Sequence, residues 1–178
     1  ENLTEEQFRL VTSAQRSLKK LSQLGQSLSL LTKIENREFT RGEKIDMSEL
    51  VNEALQNFKE LFEIKGLSVT ANIKEKILRD LNPHLGTILI NNLMHNALRH
   101  NIEGGRIEVI LDDKHLEINN TGAVPRTPTE RMFDRFEKND PQSDSSGLGL
   151  AIVKEICDFH SMKIDYTYDH EHQINIYF

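Results

Sequence analysis

Two stretches of this chain hold residue types at spacings that can grip a nucleoside triphosphate. In Asn91-Asn92-Leu93-Met94-His95-Asn96-Ala97-Leu98-Arg99-His100, a helix sets the carboxamides of Asn92 and Asn96 on one face at i and i+4. Arg99 follows a turn later, so all three side chains can reach one ligand. In Ser145-Ser146-Gly147-Leu148-Gly149-Leu150-Ala151-Ile152-Val153-Lys154, two glycines open a second helix. Glycine lets backbone N–H groups close on phosphate oxygens, and the N-terminal end of the helix adds its favourable dipole. Each pattern alone is commonplace, because asparagines often cap or decorate helices and glycines often begin or end them. Their order, with a long loop between them, is the specific signal, and together they read as an ATP site.

The rest of the chain must position those groups. At 178 residues with an apolar share of 37%, it suits one ordinary domain plus an appendage. The net charge of −6 argues against a generic nucleic-acid surface, which needs clustered Lys and Arg, so any phosphate binding is local. No stretch approaches the roughly 18 consecutive apolar residues of a membrane helix. The start, Glu1 to Glu6, lacks the basic and apolar run of a signal peptide. No membrane contact is therefore expected within the chain. The single cysteine, Cys157, excludes an internal disulfide and reads as a small core residue.

Residues 5 to 36 predict one long helix, with Phe8, Val11, Leu18, Leu21, Leu24, Leu28 and Leu31 at spacings of three, four or seven. Such a leucine stripe needs a partner helix or a second copy to cover it, more than it needs its own domain. Gly25 interrupts the stripe, so no regular coiled coil is claimed. After Phe39-Thr40-Arg41-Gly42 the pattern changes, which divides the chain into residues 1–42 and a globular unit, 43–178. In that unit a helix starts at Ser48 and runs to about Ile64, Gly66 ends it, and Leu67 to Ile73 alternates as a strand. Leu85 to Arg99 is the next helix. A turn at Gly104-Gly105 then leads to a hairpin of Arg106 to Leu111 and His115 to Asn119. Residues 121 to 146, with three prolines, form a long loop with a short helical piece, and loops of that length are usually functional. A helix from Leu148 to His160 and strands at Lys163 to Tyr168 and Gln173 to Phe178 close the chain.

This arrangement resembles the catalytic, ATP-binding domain of bacterial sensor histidine kinases, within the ATPase superfamily that includes gyrase, the MutL proteins and a heat-shock chaperone. The resemblance covers nearly the whole chain. It implies an α+β fold: a two-layer α/β sandwich, its mixed sheet covered by helices on one face, with a nucleotide lid and the long N-terminal helix. Asn92 to His100 matches the N box. By that resemblance Asn96 holds Mg²⁺, Asn92 supports it directly or through water, Arg99 replaces the usual lysine against the phosphates, and His100 joins the nucleotide contacts. Mg²⁺ accepts neutral oxygen ligands while the triphosphate supplies negative charge. His95 and His100, five residues apart, fall on different helix faces and do not suggest a transition-metal site.

The G1 box normally opens with an aspartate that accepts a hydrogen bond from the adenine amino group. Here Leu116-Glu117-Ile118-Asn119-Asn120 leads into Thr121-Gly122-Ala123-Val124-Pro125, so Asn120 stands in the aspartate's place and Gly122 in that of the first glycine. Asparagine can still accept through its carbonyl oxygen but loses the charge-assisted bond. The second glycine has no counterpart. Met132-Phe133-Asp134-Arg135-Phe136-Glu137-Lys138 matches the F box, where Phe133 and Phe136 would anchor the lid. Arg135, and less so Lys138, would meet the terminal phosphate, since phosphoryl transfer depends on positioned cations. The G2 box runs Ser145 to Leu150, with Ser146, Gly147, Leu148, Gly149 and Leu150 offering N–H groups to the phosphates.

The long helix resembles the second helix of the family's dimerisation and phosphotransfer hairpin. The phosphoacceptor-bearing helix has no counterpart, because His170-Glu171 sits before the closing strand, so the chain is expected to be a fragment without its own acceptor. The resemblance implies a cytoplasmic protein-histidine kinase that is a homodimer at full length. It would pass the γ-phosphate of ATP to a histidine on that helix and then to a response-regulator aspartate. Asn120, Ser145 and the missing glycine leave open a degenerate nucleotide- or partner-binding module. A serine kinase or hydrolysing ATPase of the same superfamily is a third possibility.

Overall fold

The computed structural model describes residues 4–40, 42–138 and 145–178. Arg41 of the expected linker and the Pro141 stretch of the expected long loop lie outside those residues.

The N-terminal helix, α1, spans Glu5–Glu35 and begins with a capping box in which Gln7 N–H donates to Thr4 Oγ1 (3.2 Å) and Thr4 N–H donates to Gln7 Oε1 (2.9 Å). Its apolar stripe divides. Leu31 and Ile34 are buried and Leu24, Leu28 and Leu30 pack partly against the core, whereas Phe8 (61%), Leu18 (67%) and Leu21 (66%) remain exposed. The C-terminal turns therefore dock on their own domain, against the expectation of an outside partner. The N-terminal turns keep that expectation.

A helix α2, Met47–Ile64, follows the short strand β1, Glu43–Asp46. Its cap is Asp46, which accepts from Ser48 N–H at 2.8 Å, not Ser48 as expected. The Ser48 hydroxyl is spent elsewhere: it donates to the Lys74 carbonyl (2.7 Å) and accepts from Ile77 N–H (3.0 Å), satisfying a loop that would otherwise bury bare backbone. Strand β2, Ser68–Ile73, leads to β3, Leu78–Leu81, which pairs antiparallel with β1. Neither of these two four-residue strands was expected. Helix α3 spans Pro83–Arg99, two residues longer at its start than expected, because Asn82 caps it and Pro83 is pre-shaped for its first turn.

Strands β4 (Arg106–Leu111), β5 (His115–Asn120), β6 (Lys163–Asp169) and β7 (Glu171–Tyr177) join β2 in a five-stranded sheet of order β2-β4-β5-β7-β6. Only β2 and β4 run parallel, so the sheet is mixed, as expected. A short 3-10 turn, Thr129–Arg131, and helix α4, Gly149–Phe159, lie between β5 and β6. Along the strands Ile107, Val109, Leu111, Leu116, Ile118, Ile174 and Ile176 turn inward to meet Phe58, Leu89, Leu93, Ile152 and Ile156 of the helices. Cys157 is buried among them, and that burial pushes its thiol up to about 12. Among the described residues, no helix is long and apolar enough to cross a membrane.

Candidate functional site

Between α3, the start of α4 and the end of the F box lies a cavity of about 310 Å³. Nine of the residues singled out from sequence line it together: Asn92, Asn96, Arg99, His100, Lys138, Ser146, Gly147, Gly149 and Leu150.

The α3 wall is held at both ends. Asn82 Oδ1 accepts from Leu85 N–H (3.1 Å) at the start. At the finish Lys65 Nζ donates to the carbonyls of Leu98 (2.6 Å) and Asn101 (2.9 Å), a cation on the negative end of the helix that fixes the turn carrying Arg99 and His100. Asn92 Nδ2 donates to Ile88 O (2.8 Å), which settles the rotamer of the amide and leaves Oδ1 as its unspent end. That oxygen faces α4: a β-carbon on Gly149 would sit 3.1 Å from it.

The opposite wall depends on Gly147, whose φ of +70° suits glycine. Its carbonyl accepts from Phe136 N–H at 2.8 Å, closing the lid's first half onto the turn. Leu148 caps α4 through its backbone alone, with no side-chain bond, so the first N–H groups of the helix stay available beside the cavity. The Leu148 side chain itself is fully buried and anchors the turn in the core.

The floor is formed by His172 of β7 and Tyr166 of β6, and the G1 turn, with Asn120 and Gly122, lies behind it without lining the cavity. Thr121 Oγ1 donates to Asn101 Oδ1 (2.5 Å) and accepts from Arg106 N–H (2.8 Å), knotting the turn to the end of α3 and the start of β4. Gly122 passes so close to its neighbours that a β-carbon would stand 2.4 Å from His172 Nε2 and 2.6 Å from His100 O. Asn120, 2% exposed, donates through Nδ2 to Thr121 O (2.8 Å), which orients its carboxamide. Opposite Asn120 across the β5–β7 pair stands His172, 3% exposed, whose ring lines the cavity. Tyr166 Oη lies 2.5 Å from His172 Nδ1. Burial lowers the His172 pKa, opposed by a hydrogen bond to the Ala123 backbone, and burial likewise raises that of Tyr166.

Three lid residues stand apart from the cavity. Phe133 packs edge-on to Tyr166, with ring centroids 6.4 Å apart. Phe136 is 55% exposed at φ +65° and lines a groove toward α1. Arg135 binds Glu35 of α1 and lies 3.5 Å from Glu155 of α4, and the Glu35 bond keeps its guanidinium firmly charged. The arginine expected at the terminal phosphate is thus a bracket between lid, α1 and α4. Other wall residues carried no sequence signal: Gln23 and Ser27 reach in from α1, and Tyr166 and His172 rise from single strand positions.

The family described as histidine kinase-, DNA gyrase B-, and HSP90-like ATPase matches residues 83–177. The heme sensor protein HssS of Staphylococcus aureus is 30% identical over 158 residues, which are 85% of this chain and 34% of that protein. The chain thus spans about a third of the length of the curated relatives it matches. Among solved structures, the catalytic domain of the histidine kinase ThkA superposes with a TM-score of 0.68 at 21% identity, covering 78% of this chain and 95% of that one. The Acinetobacter baumannii histidine kinase AdeS does so at 0.72 and 20%, covering 99% and 85%. At such identities the two structures speak to the fold.

Proposed function

Because this chain belongs to the family of histidine kinase-, DNA gyrase B- and HSP90-like ATPases, we propose that it is of the histidine kinase type, and that its cavity binds Mg-ATP and presents the γ-phosphate to a histidine on a helix outside this chain. The carrying observation is the convergence of Asn92, Asn96, Arg99, Gly147 and Gly149 on one cavity, from segments roughly fifty residues apart in sequence. Residues 43–178 would be the catalytic domain, and residues 1–42 the remaining half of a dimerisation hairpin with its linker. The complete protein would be a cytoplasmic-facing homodimeric sensor kinase, relaying phosphate to a response-regulator aspartate.

In this reading Arg99 and Lys138 neutralise phosphate charge, and the N–H groups from Ser146 to Leu150 hold phosphate oxygens at the α4 N-terminus. Asn120 accepts from the adenine amino group beside Gly122. The unspent Asn92 Oδ1 and the Asn96 carboxamide fit Mg²⁺, which takes neutral oxygens alongside phosphates. When bound, Mg²⁺ would draw charge from the β- and γ-phosphates. No general base is required of this chain, because a neutral imidazole is already nucleophilic; its own residues supply position and charge. Arg135 can join them at the γ-phosphate only by leaving Glu35 and Glu155. The competing reading, a binding module without transfer, draws on that displaced arginine and on Asn120.

Calorimetric titration with an ATP analogue, with and without Mg²⁺, on the chain and on Asn96→Ala tests the site. We expect magnesium-dependent binding that the variant loses, followed by phosphotransfer to a supplied histidine-bearing helix. Absence of binding at millimolar ligand would overturn the active site; binding without transfer would favour the module.

A further inference from the structure

We propose that Gln23 and Ser27 of α1 contact the terminal phosphate of a bound nucleoside triphosphate, so that the docked helix registers whether that phosphate is present. The inference rests on the nucleotide reading of the cavity. It assigns ligand contacts to a segment outside residues 83–177, the stretch that matches the ATPase family.

Gln23 and Ser27 stand at i and i+4 on α1, so they share one face of the helix, and both line the cavity. Thr12 and Thr32 of the same helix turn their hydroxyls back onto the carbonyls of Phe8 (2.8 Å) and Leu28 (3.0 Å). Ser27 makes no such bond, and neither it nor the Gln23 carboxamide has a side-chain hydrogen bond among the described residues. Their donors are unspent and face the space between α1, α3 and the lid. The rest of the helix sets their place: Leu31 and Ile34, one and two turns further on, are buried in the core, and Glu35 is tied to Arg135 of the lid.

Their position along the cavity identifies the ligand group. A groove runs beside the cavity between α1 and the lid, and Arg99 and Lys138 line both spaces, whereas His172 and Tyr166 do not reach the groove. Gln23 and Ser27 are shared between the two spaces in the same way, so they stand at the cationic end. A nucleoside triphosphate carries its greatest charge on the terminal phosphate, and that is the group two cations draw to this end. Gly147 and Gly149 approach the cavity from the α4 side, so the phosphate chain is gripped from opposite walls. Gln23 Nε2–H and Ser27 Oγ–H are neutral donors that meet phosphate oxygens without adding a charge of their own. A diphosphate ends one group short and leaves both donors to water. Loss of the terminal phosphate therefore removes hydrogen bonds that hold this stretch of α1 against the cavity.

The test is calorimetry with Mg²⁺ and either β,γ-imido-ATP or ADP on the parent chain, Gln23→Ala, Ser27→Ala, Gln23→Glu and Gln26→Ala. Gln26 lines the groove but not the cavity and serves as the control. Thermal melts check that each variant stays folded. We expect Gln23→Ala and Ser27→Ala each to weaken triphosphate binding about three- to tenfold, the worth of one hydrogen bond, with ADP affinity changed by less than about twofold. Gln23→Glu should weaken triphosphate binding further, because it sets a carboxylate against the phosphate, and Gln26→Ala should match the parent. Hydrogen exchange between residues 20 and 30 should slow more with the triphosphate than with ADP. If Gln23→Ala and Ser27→Ala keep the parent's preference for the triphosphate while Asn96→Ala abolishes binding, α1 does not touch the phosphate, and this inference alone fails. If the chain binds neither nucleotide, the reading of the cavity fails, and this inference with it.

Discussion

Replacing Gly147 with alanine should separate the phosphate turn from the core beneath it. The φ of +70° places a β-carbon in the left-handed region, at a cost of about 1–2 kcal/mol for alanine. That carbon would also stand 2.7 Å from Phe136 C and 2.8 Å from Glu137 O, both backbone atoms that cannot rotate away. The turn can relieve this only by giving up the Phe136 N–H to Gly147 O bond, worth about 0.5–1.5 kcal/mol. The total, about 2–3 kcal/mol, falls on a surface turn whose displacement leaves the core intact. The melting temperature should therefore change little, while nucleotide binding, which needs the turn back in place, weakens about thirty- to a hundredfold. Gly149→Ala is the control: its β-carbon would meet only a side-chain oxygen, Asn92 Oδ1 at 3.1 Å, so its loss should be several times smaller. Calorimetry with an ATP analogue and Mg²⁺, paired with thermal melts, reads both quantities. If Gly147→Ala binds within about twofold of the parent chain, or if it unfolds the domain, the assignment of the strain to a locally movable phosphate turn is wrong.

Three further outcomes can be checked. Gly25→Ala should stabilise α1 by about 0.5–1 kcal/mol in urea denaturation, because that helical glycine has nothing within 4 Å of an added β-carbon. Buried His172 has a lowered pKa, so its contribution to stability is complete above about pH 6.5 and is lost as pH falls through the folded value. Thermal midpoints should drop across that range in the parent chain and less steeply in His172→Phe. Replacing both Glu35 and Glu155 with glutamine should release Arg135 and speed tryptic cleavage at that residue, with global stability changed by less than about 1 kcal/mol because the pairs are half-exposed; unchanged cleavage would mean that the ion pairs do not hold the lid.

What the sequence disclosed and what it withheld follow physical lines. Periodic apolar spacing located α1 to within a residue, and hydrophobic alternation located the β4–β5 hairpin, because both signals are summed over many residues. Helix starts were less visible. Asp46 and Ser48 are both good caps, and the choice was made by a distant loop needing the Ser48 hydroxyl. Strands β1 and β3 are four residues each, too short for alternation to register. In the site, asparagines and glycines at fixed spacings could be recognised. His172 could not, since a lone histidine on a strand acquires meaning only from Tyr166 beside it and Gly122 above it. Arg135 illustrates the converse: its motif position was evident, but its carboxylate partners lie 100 and 20 residues away in the chain.

The divided burial of α1 makes it a lever with a short arm at the cavity. If the helix pivots where Leu31 and Ile34 are clamped, Phe8 lies about 35 Å from the fulcrum and Ser27 only about 6 Å, at 1.5 Å per residue. A sideways swing of the far tip reaches the Ser27 wall reduced about sixfold in amplitude and multiplied by the same factor in force. Coarse displacements outside the domain would thus arrive at the cavity as shifts of about an ångström, the scale on which a hydrogen bond is made or lost. The same gearing runs backward: closing the pocket around a ligand by a fraction of an ångström at Ser27 would be broadcast as a movement of several ångströms at Phe8.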